Sequence, residues 1–323
     1  MKKFLLSGAG LVSMLLILYS CIDPFSPPEV NSDASNLVVD GFVNIGKDTS
    51  RIALSRTQNT SVLAATFKEV GAKLTVEGET GEKFNFTEKG GGQYYLIPEN
   101  YNQSGKYRLR IRTKNGKEYL SDYVAAKKTP AIDSVTWEHD KVRNAIVIKV
   151  DTHDPKNQTR FYRWKFEQTY EYRSAVFSAL DRDLVNREII IRKDNIDRCW
   201  KTFSSANIAL GSTIKLTEDR IKDLPINVVP INTNWFYVKY SILVKQYALS
   251  QDAFEYWTSL AKTTQGTGGL FDPQPSQVTG NVKNVADVHE LVFGYFSVLT
   301  EESKRVFIEP NLGIPPYAMI WTR

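Results

Sequence analysis

Three histidines, His139, His153 and His289, are the residues of this 323-residue chain best suited to hold a metal or relay a proton. None stands at a spacing that would do either. The stretch "HELVF" starts like a zinc-protease helix, but the second ligand belongs four residues after His289, where the chain has Phe293. "DTHDP" gathers Asp151, His153 and Asp154, and its Asp-Pro pair is first a turn signal. Ser-x-x-Lys occurs at Ser212 to Lys215 and Ser259 to Lys262, without the Lys-Thr-Gly and Ser-Asp-Asn partners an acyl-transfer site needs. There is no Gly-x-Ser-x-Gly elbow, and "GTGG" lacks the Gly-Lys-Ser/Thr ending of a phosphate cradle. The expectation is a non-enzyme with no catalytic residue, metal ligand or cofactor.

The remaining reactive group is Cys21. Lys2 and Lys3 precede the apolar run Phe4 to Leu18, shorter than the about 20 residues of a membrane-spanning helix, which is the build of a secretory signal. It ends in Leu18-Tyr19-Ser20-Cys21, which resembles a bacterial lipobox and makes Cys21 the candidate lipidation site. Losing residues 1–20 would leave 303 residues and lower the formal charge from +5 to +3, nearly neutral for this length. Bacterial lipoproteins carry more than one acyl chain, enough for stable anchoring without a spanning segment. Residues 21–35, with Pro24, Pro27 and Pro28, read as an extended tether. Cys199 then has no partner in the chain and is expected to be buried and inert beside Trp200.

The elements behind these residues read as mainly β. A polar stretch with Pro130, "AAKKTPAIDS", divides the chain near Thr129 into an immunoglobulin-like β-sandwich over 36–129 and a larger β-rich domain over 130–323. About seven short strands are expected in the first. In its clearest hairpin Tyr107, Leu109, Ile111 and Thr113 alternate with Arg108, Arg110, Arg112 and Lys114 before the Asn115-Gly116 turn. The basic face reads first as a solvated one. A second hairpin runs from "AKLTVE" through "GETG" to "EKFNFTE".

In the larger part, Tyr162, Trp164, Phe166, Tyr170 and Tyr172 share one strand face and are expected in the core, opposite Arg163, Lys165, Glu167, Thr169 and Glu171. A longer strand over "WFYVKYSILVKQYAL" puts Phe236, Val238, Tyr240, Ile242 and Val244 on one face. Ser250 is placed to cap a following helix with Phe254, Trp257 and Ala261 at helical spacing. The Gly/Pro-rich stretch after it is either a contact surface or a covering loop. Tyr256 and Trp257 of the helix, with Leu270, Phe271, Asp272 and Pro273 of that stretch, are the candidate partner-binding residues.

Taken in order, "NLVVDGFVN", "GAKLTVEGETGEKF", "GKYRLRIRTKNGKEY", "TPAIDSVTW", "FYRWKFEQTYEY", "RCWKT", "YSILVKQYALSQDAFEYW", "FDPQPSQVTGNVKN" and "VFGYFSV…KRVFI" resemble the Bacteroidota lipoprotein family catalogued as domain of unknown function 4249. The resemblance spans nearly the whole chain after the lipobox. It implies strand-rich architecture, an outer-membrane lipoprotein facing the cell surface, and association with a TonB-dependent transporter barrel; it implies no catalytic residues. Only Asp23 stands near Cys21 where an acidic cluster would favour surface display. The expected function is an anchored accessory protein that docks on such a barrel and aids cargo capture or gating, with nucleic acid excluded as a partner. Two rivals are a stand-alone surface module for glycan or peptide and a hydrolase with a scattered triad.

Overall fold

The computed structural model describes residues 35–58, 67–174, 176, 178–194, 196–266 and 278–309. Ten strands precede Thr129: β1 (Leu37–Asn44), β2 (Ser50–Arg56), β3 (Phe67–Lys68), β4 (Lys73–Gly78), β5 (Lys83–Asn85), β6 (Thr87–Glu88), β7 (Gln93–Leu96), β8 (Lys106–Arg112), β9 (Glu118–Ser121) and β10 (Val124–Ala125). They form two sheets, one running β1-β2-β7-β6 and the other β9-β8-β4-β5. Period-two alternation turns Leu74, Val76, Tyr107, Leu109 and Ile111 into the shared core, with Ile52, Leu54 and Tyr94 facing them.

The second unit contains β11 (Ile132–Asp140), β12 (Ala145–His153), β13 (Phe161–Arg173), β14 (Leu180–Arg182), β15 (Ile189–Ile191), β16 (Arg198–Ser204), β17 (Ala209–Ser212), β18 (Arg220–Pro230), β19 (Lys239–Ala248) and the helix α1 (Gln251–Thr264). Its sandwich sets a β11-β12-β18 sheet against a β16-β13-β19 sheet. Tyr162, Trp164, Phe166 and Tyr170 are buried between them as the alternation requires. Trp164 donates its indole N–H to Gln246 Oε1 at 2.8 Å, which satisfies the one polar atom that ring carries into the core. The long expected strand is shorter in fact: Asn234–Phe236 is a 3-10 turn and β19 starts at Lys239. Phe236 still reaches the core, by the turn.

The last strands are shared out between the two units. β20 (Val282–Asn284) pairs with β9, β21 (Val292–Phe293) and β22 (Val298–Leu299) pair in parallel with β1, and β23 (Glu302–Ile308) pairs with β19. Val282, Val292, Phe296 and Val298 therefore belong to the first core. The expected division at Thr129 marks only the first passage of the chain between units, because residues 282–299 return to the first sandwich.

Thr129 is 2 % exposed, unlike an ordinary linker residue. Its N–H donates to Thr300 Oγ1 at 2.8 Å, its hydroxyl donates to Thr300 O, and it accepts from Ala248 N at 3.1 Å. Gln246 Nε2 adds a bond to Pro130 O at 2.8 Å. The passage is thus tied to the end of β19 and to the β22–β23 junction, which fixes how the two sandwiches meet.

Candidate functional site: an inter-sandwich cleft and an apolar hairpin

Where the sandwiches meet, the Arg163, Lys165 and Glu167 part of the polar face of β13 looks onto β1. A third apolar cluster fills part of the junction, with Tyr247, Leu249, Ala253 and Leu299 buried and Phe42, Phe161, Phe254, Trp257 and Tyr295 packed against them. Ser250 starts α1 as its side chain accepts from Ala253 N at 3.2 Å, and the helix lays Phe254 on Phe161 with ring centres 4.8 Å apart. Trp257, one helical turn on, covers Arg163, whose guanidinium carbon lies 3.3 Å from the indole centre. Such a contact contributes about 0.5–2 kcal/mol.

Beside this cluster lies a cleft in two parts. The outer part, about 610 Å³, has Asp40, Phe42, Lys165, Glu167, Lys245 and Tyr247 among its walls. It meets a narrow chamber of about 30 Å³ that shares Asp40, Phe42, Lys165 and Tyr247 and adds Arg163 and Trp257. Lys245 donates to Glu167 at 2.7 Å and stands 3.8 Å from Glu301, while Tyr247 OH donates to Glu301 at 2.7 Å. Burial alone would lower the Lys245 pKa, and its two carboxylate partners reverse that and raise it. For Arg163 burial prevails and pushes the pKa down to about 10; burial, then the neighbouring Arg163 charge, also lowers that of Lys165. The Tyr247 hydroxyl is pushed up by burial and by Glu301.

A second feature stands apart from the cleft. Between β13 and β16 the chain leaves the sandwich as a two-stranded hairpin, β14 paired with β15 and with no other described strand. Leu184 is 84 %, Val185 89 %, Ile189 75 % and Ile191 78 % exposed. Directly opposed residues share a face, so Leu180 and Ile191 lie together, with Arg182 beside Ile189. The hairpin leads into edge strand β16, whose Trp200 is also exposed. Its rim carries both charge signs, with Arg192 3.0 Å from Asp181.

The sequence-derived candidates divide among these places. Tyr256 and Trp257 are half-buried at the junction, Tyr256 packing on Tyr295 at 5.2 Å, so they serve the packing of α1 and the cleft wall. Cys21, Leu270, Phe271, Asp272 and Pro273 lie outside the described residues. Cys199 is half-buried, opposite Tyr172, and its neighbour Trp200 is exposed, because β16 is a sheet edge and, among the described residues, no layer covers the face that carries Trp200. The middle of the basic face of β8 is ion-paired: Arg108 and Arg110 both reach Glu77 at 2.7 Å, and Arg110 also pairs with Glu118, while Arg112 and Lys114 are exposed. "DTHDP" ends β12 at His153 and enters a turn at Asp154, which accepts backbone N–H bonds from Lys156, Gln158 and Thr159, while His153 Nδ1 lies 2.7 Å from Asp133. Glu290 of "HELVF" ties the returning segment to the first sandwich, accepting from Tyr119 OH and Asn284 Nδ2 at 2.6 Å and Lys117 Nζ at 2.7 Å. No cluster of metal-ligating side chains occurs among the described residues. No described helix is long and apolar enough to cross a membrane, which says nothing of strands.

Among known proteins, a family model described as a domain of unknown function (DUF4249) matches residues 22–305. The chain belongs to that family. No curated protein matches this DUF4249 chain. Similar solved structures include one titled as the adhesin InvE of Yersinia pseudotuberculosis, at 15 % identity and a TM-score of 0.19. That alignment covers 67 % of the DUF4249 chain and 55 % of the adhesin, so the chain spans about half the adhesin's length. At that TM-score it carries no argument. The cleft and the hairpin are what the DUF4249 chain itself offers.

Proposed function

We propose that this chain is a non-enzymatic lipoprotein, anchored through Cys21 to the outer membrane and facing the cell surface, that docks on a TonB-dependent transporter barrel and aids cargo capture or gating. The observation that carries the reading is the exposed apolar hairpin. A protruding set of Leu184, Val185, Ile189 and Ile191 costs solubility unless a partner covers it. The rim favours a protein over a lipid surface: Asp181, Asp183 and Glu188 alternate with Arg182, Arg187 and Arg192, whereas anionic headgroups call for a one-signed basic cluster. The tether supports a membrane-embedded partner, since residues 21–34 fully extended reach about 45–50 Å from the lipid. A second reading, a stand-alone surface module for glycan or peptide, is favoured by the inter-sandwich cleft with its aromatic walls.

The test is extraction of the full chain from its native outer membrane in mild detergent, with Cys21→Ala and an Ile189→Asp/Ile191→Asp variant in parallel. A stoichiometric TonB-dependent barrel should accompany the native chain and be lost from both variants. A lipoprotein that comes out alone ends the docking reading. A hairpin variant that loses only its hold on protein-free vesicles would make the hairpin a lipid contact instead.

A further inference from the structure

Arg163 and Lys165 stand two residues apart on β13 and so share the face that lines the cleft. Neither forms an ion pair or hydrogen bond among the described residues, and Arg163 Nε is shielded from solvent without an acceptor. Three other half-buried arginines are matched by carboxylates: Arg56 holds Glu69 at 2.6 Å, and Arg108 and Arg110 hold Glu77 at 2.7 Å. The nearby acids are already committed, Glu167 to Lys245 and Glu301 to Lys245 and Tyr247. Asp40, on the facing wall, makes no ion pair with either cation. Asp40 and, for Lys165, Glu301 act on these cations only at longer range, and Trp257 covers one face of Arg163, so neither cation has a carboxylate in contact. Two half-buried cations without a direct ion pair are costly in the empty protein, and an incoming anion offsets that cost.

The size and walls of the cleft narrow the ligand class. The chamber of about 30 Å³ has room for a group of a few heavy atoms such as a carboxylate, while the larger part of about 610 Å³ takes the rest of a small molecule or a chain end. Phe42 and Tyr247 border both parts and give that remainder an apolar surface. We propose that the cleft binds a carboxylate-bearing ligand, its carboxylate in the inner chamber between Arg163 and Lys165 and its apolar body against Phe42 and Tyr247. The assignment is independent of the hairpin and stands whether or not a barrel docks there.

The test uses the full-length chain in mild detergent, titrated calorimetrically with 3-phenylpropionate, with its neutral isostere 3-phenylpropionamide, and with inorganic phosphate. The acid should bind at least about tenfold more tightly than the amide, and Arg163→Met or Lys165→Met should each erase that preference. Both variants should keep or raise the Tm of the ligand-free protein, because each removes an unpaired cation. Equal binding of acid and amide, no binding of the acid up to about 20 mM, or tighter binding of phosphate overturns the assignment. So does a lowered Tm in Arg163→Met with the acid preference intact, which would make Arg163 a packing element beneath Trp257.

Discussion

Glu77 is 7 % exposed on β4 and carries the electrostatics of the first sandwich's outer face. Hydrogen bonds from Arg110 outweigh its burial and, with Arg108, hold its pKa below the ordinary 4.5. A carboxylate with a depressed folded pKa contributes stability that is complete above the unfolded value and fades as pH falls through the folded one. Glu77→Gln should therefore destabilise the protein at pH 7 by about 1–2 kcal/mol, and the difference from the native chain should shrink below about pH 4. Denaturant titrations at pH 7 and pH 3.5 check both halves. At this scale the residue types were readable and their surroundings were not. Alternation put Arg163 and Lys165 on a polar face, as the structure has them, but a polar face looks the same in sequence whether water or a second sandwich lies over it. The pairing of Arg108 and Arg110 with Glu77 was hidden for a related reason: cross-strand neighbours are fixed by register, which lies outside a single strand.

At the scale of elements, α1 follows its local code. Ser250 at the N-cap, Asp252 in the first turn and Lys262 in the last all suit the helix dipole. Ser250→Ala leaves the Ala253 N–H without its acceptor and should cost about 1 kcal/mol, read as a lower midpoint in urea with an unchanged m-value. A loss of cooperativity would show instead that α1 melts apart from the sandwiches. The aromatic core face of β13 and the Asn115-Gly116 hairpin, with Gly116 at φ 86°, were also legible. The apolar hairpin was not. Its turn runs through Asp183 to Glu188 with no glycine or proline, and the positive φ falls on Arg187, at 59°, where a long side chain gives no turn signal. Asp183 closes the turn by accepting from Val185 N at 2.8 Å, a bond that composition does not announce.

At the scale of the whole molecule, the strands that complete the first sandwich are encoded after the entire second one. Val282 opposes Ser121 and Val292 opposes Leu37, pairings that no local pattern foretells, and the polar stretch that suggests a division near Thr129 holds Thr129 itself buried and bonded across the junction. A chain ending at Thr129 lacks β20, β21 and β22 and leaves Leu37, Val43 and Tyr119 short of their covering residues. Such a fragment should fail to give a cooperative thermal transition, while the full chain gives one; a well-folded fragment would show that the closing strands are dispensable. Gly280 and Gly294 mark how closely that closure is fitted, since a Cβ on Gly280 would fall 1.5 Å from Gly294 O, and one on Gly294 would fall 1.9 Å from Val39 O.

The late-encoded closing strands also set a timetable. Domains usually fold as units, N-terminal first, as the chain emerges. Here the leading unit must wait until about residue 299 is available, with its sheet edges unsatisfied until the trailing segment arrives. Native pairing at such sequence separation is slow to form. Under the proposed anchoring through Cys21, which requires export, the chain would cross a membrane with its leading sandwich still open and so still threadable.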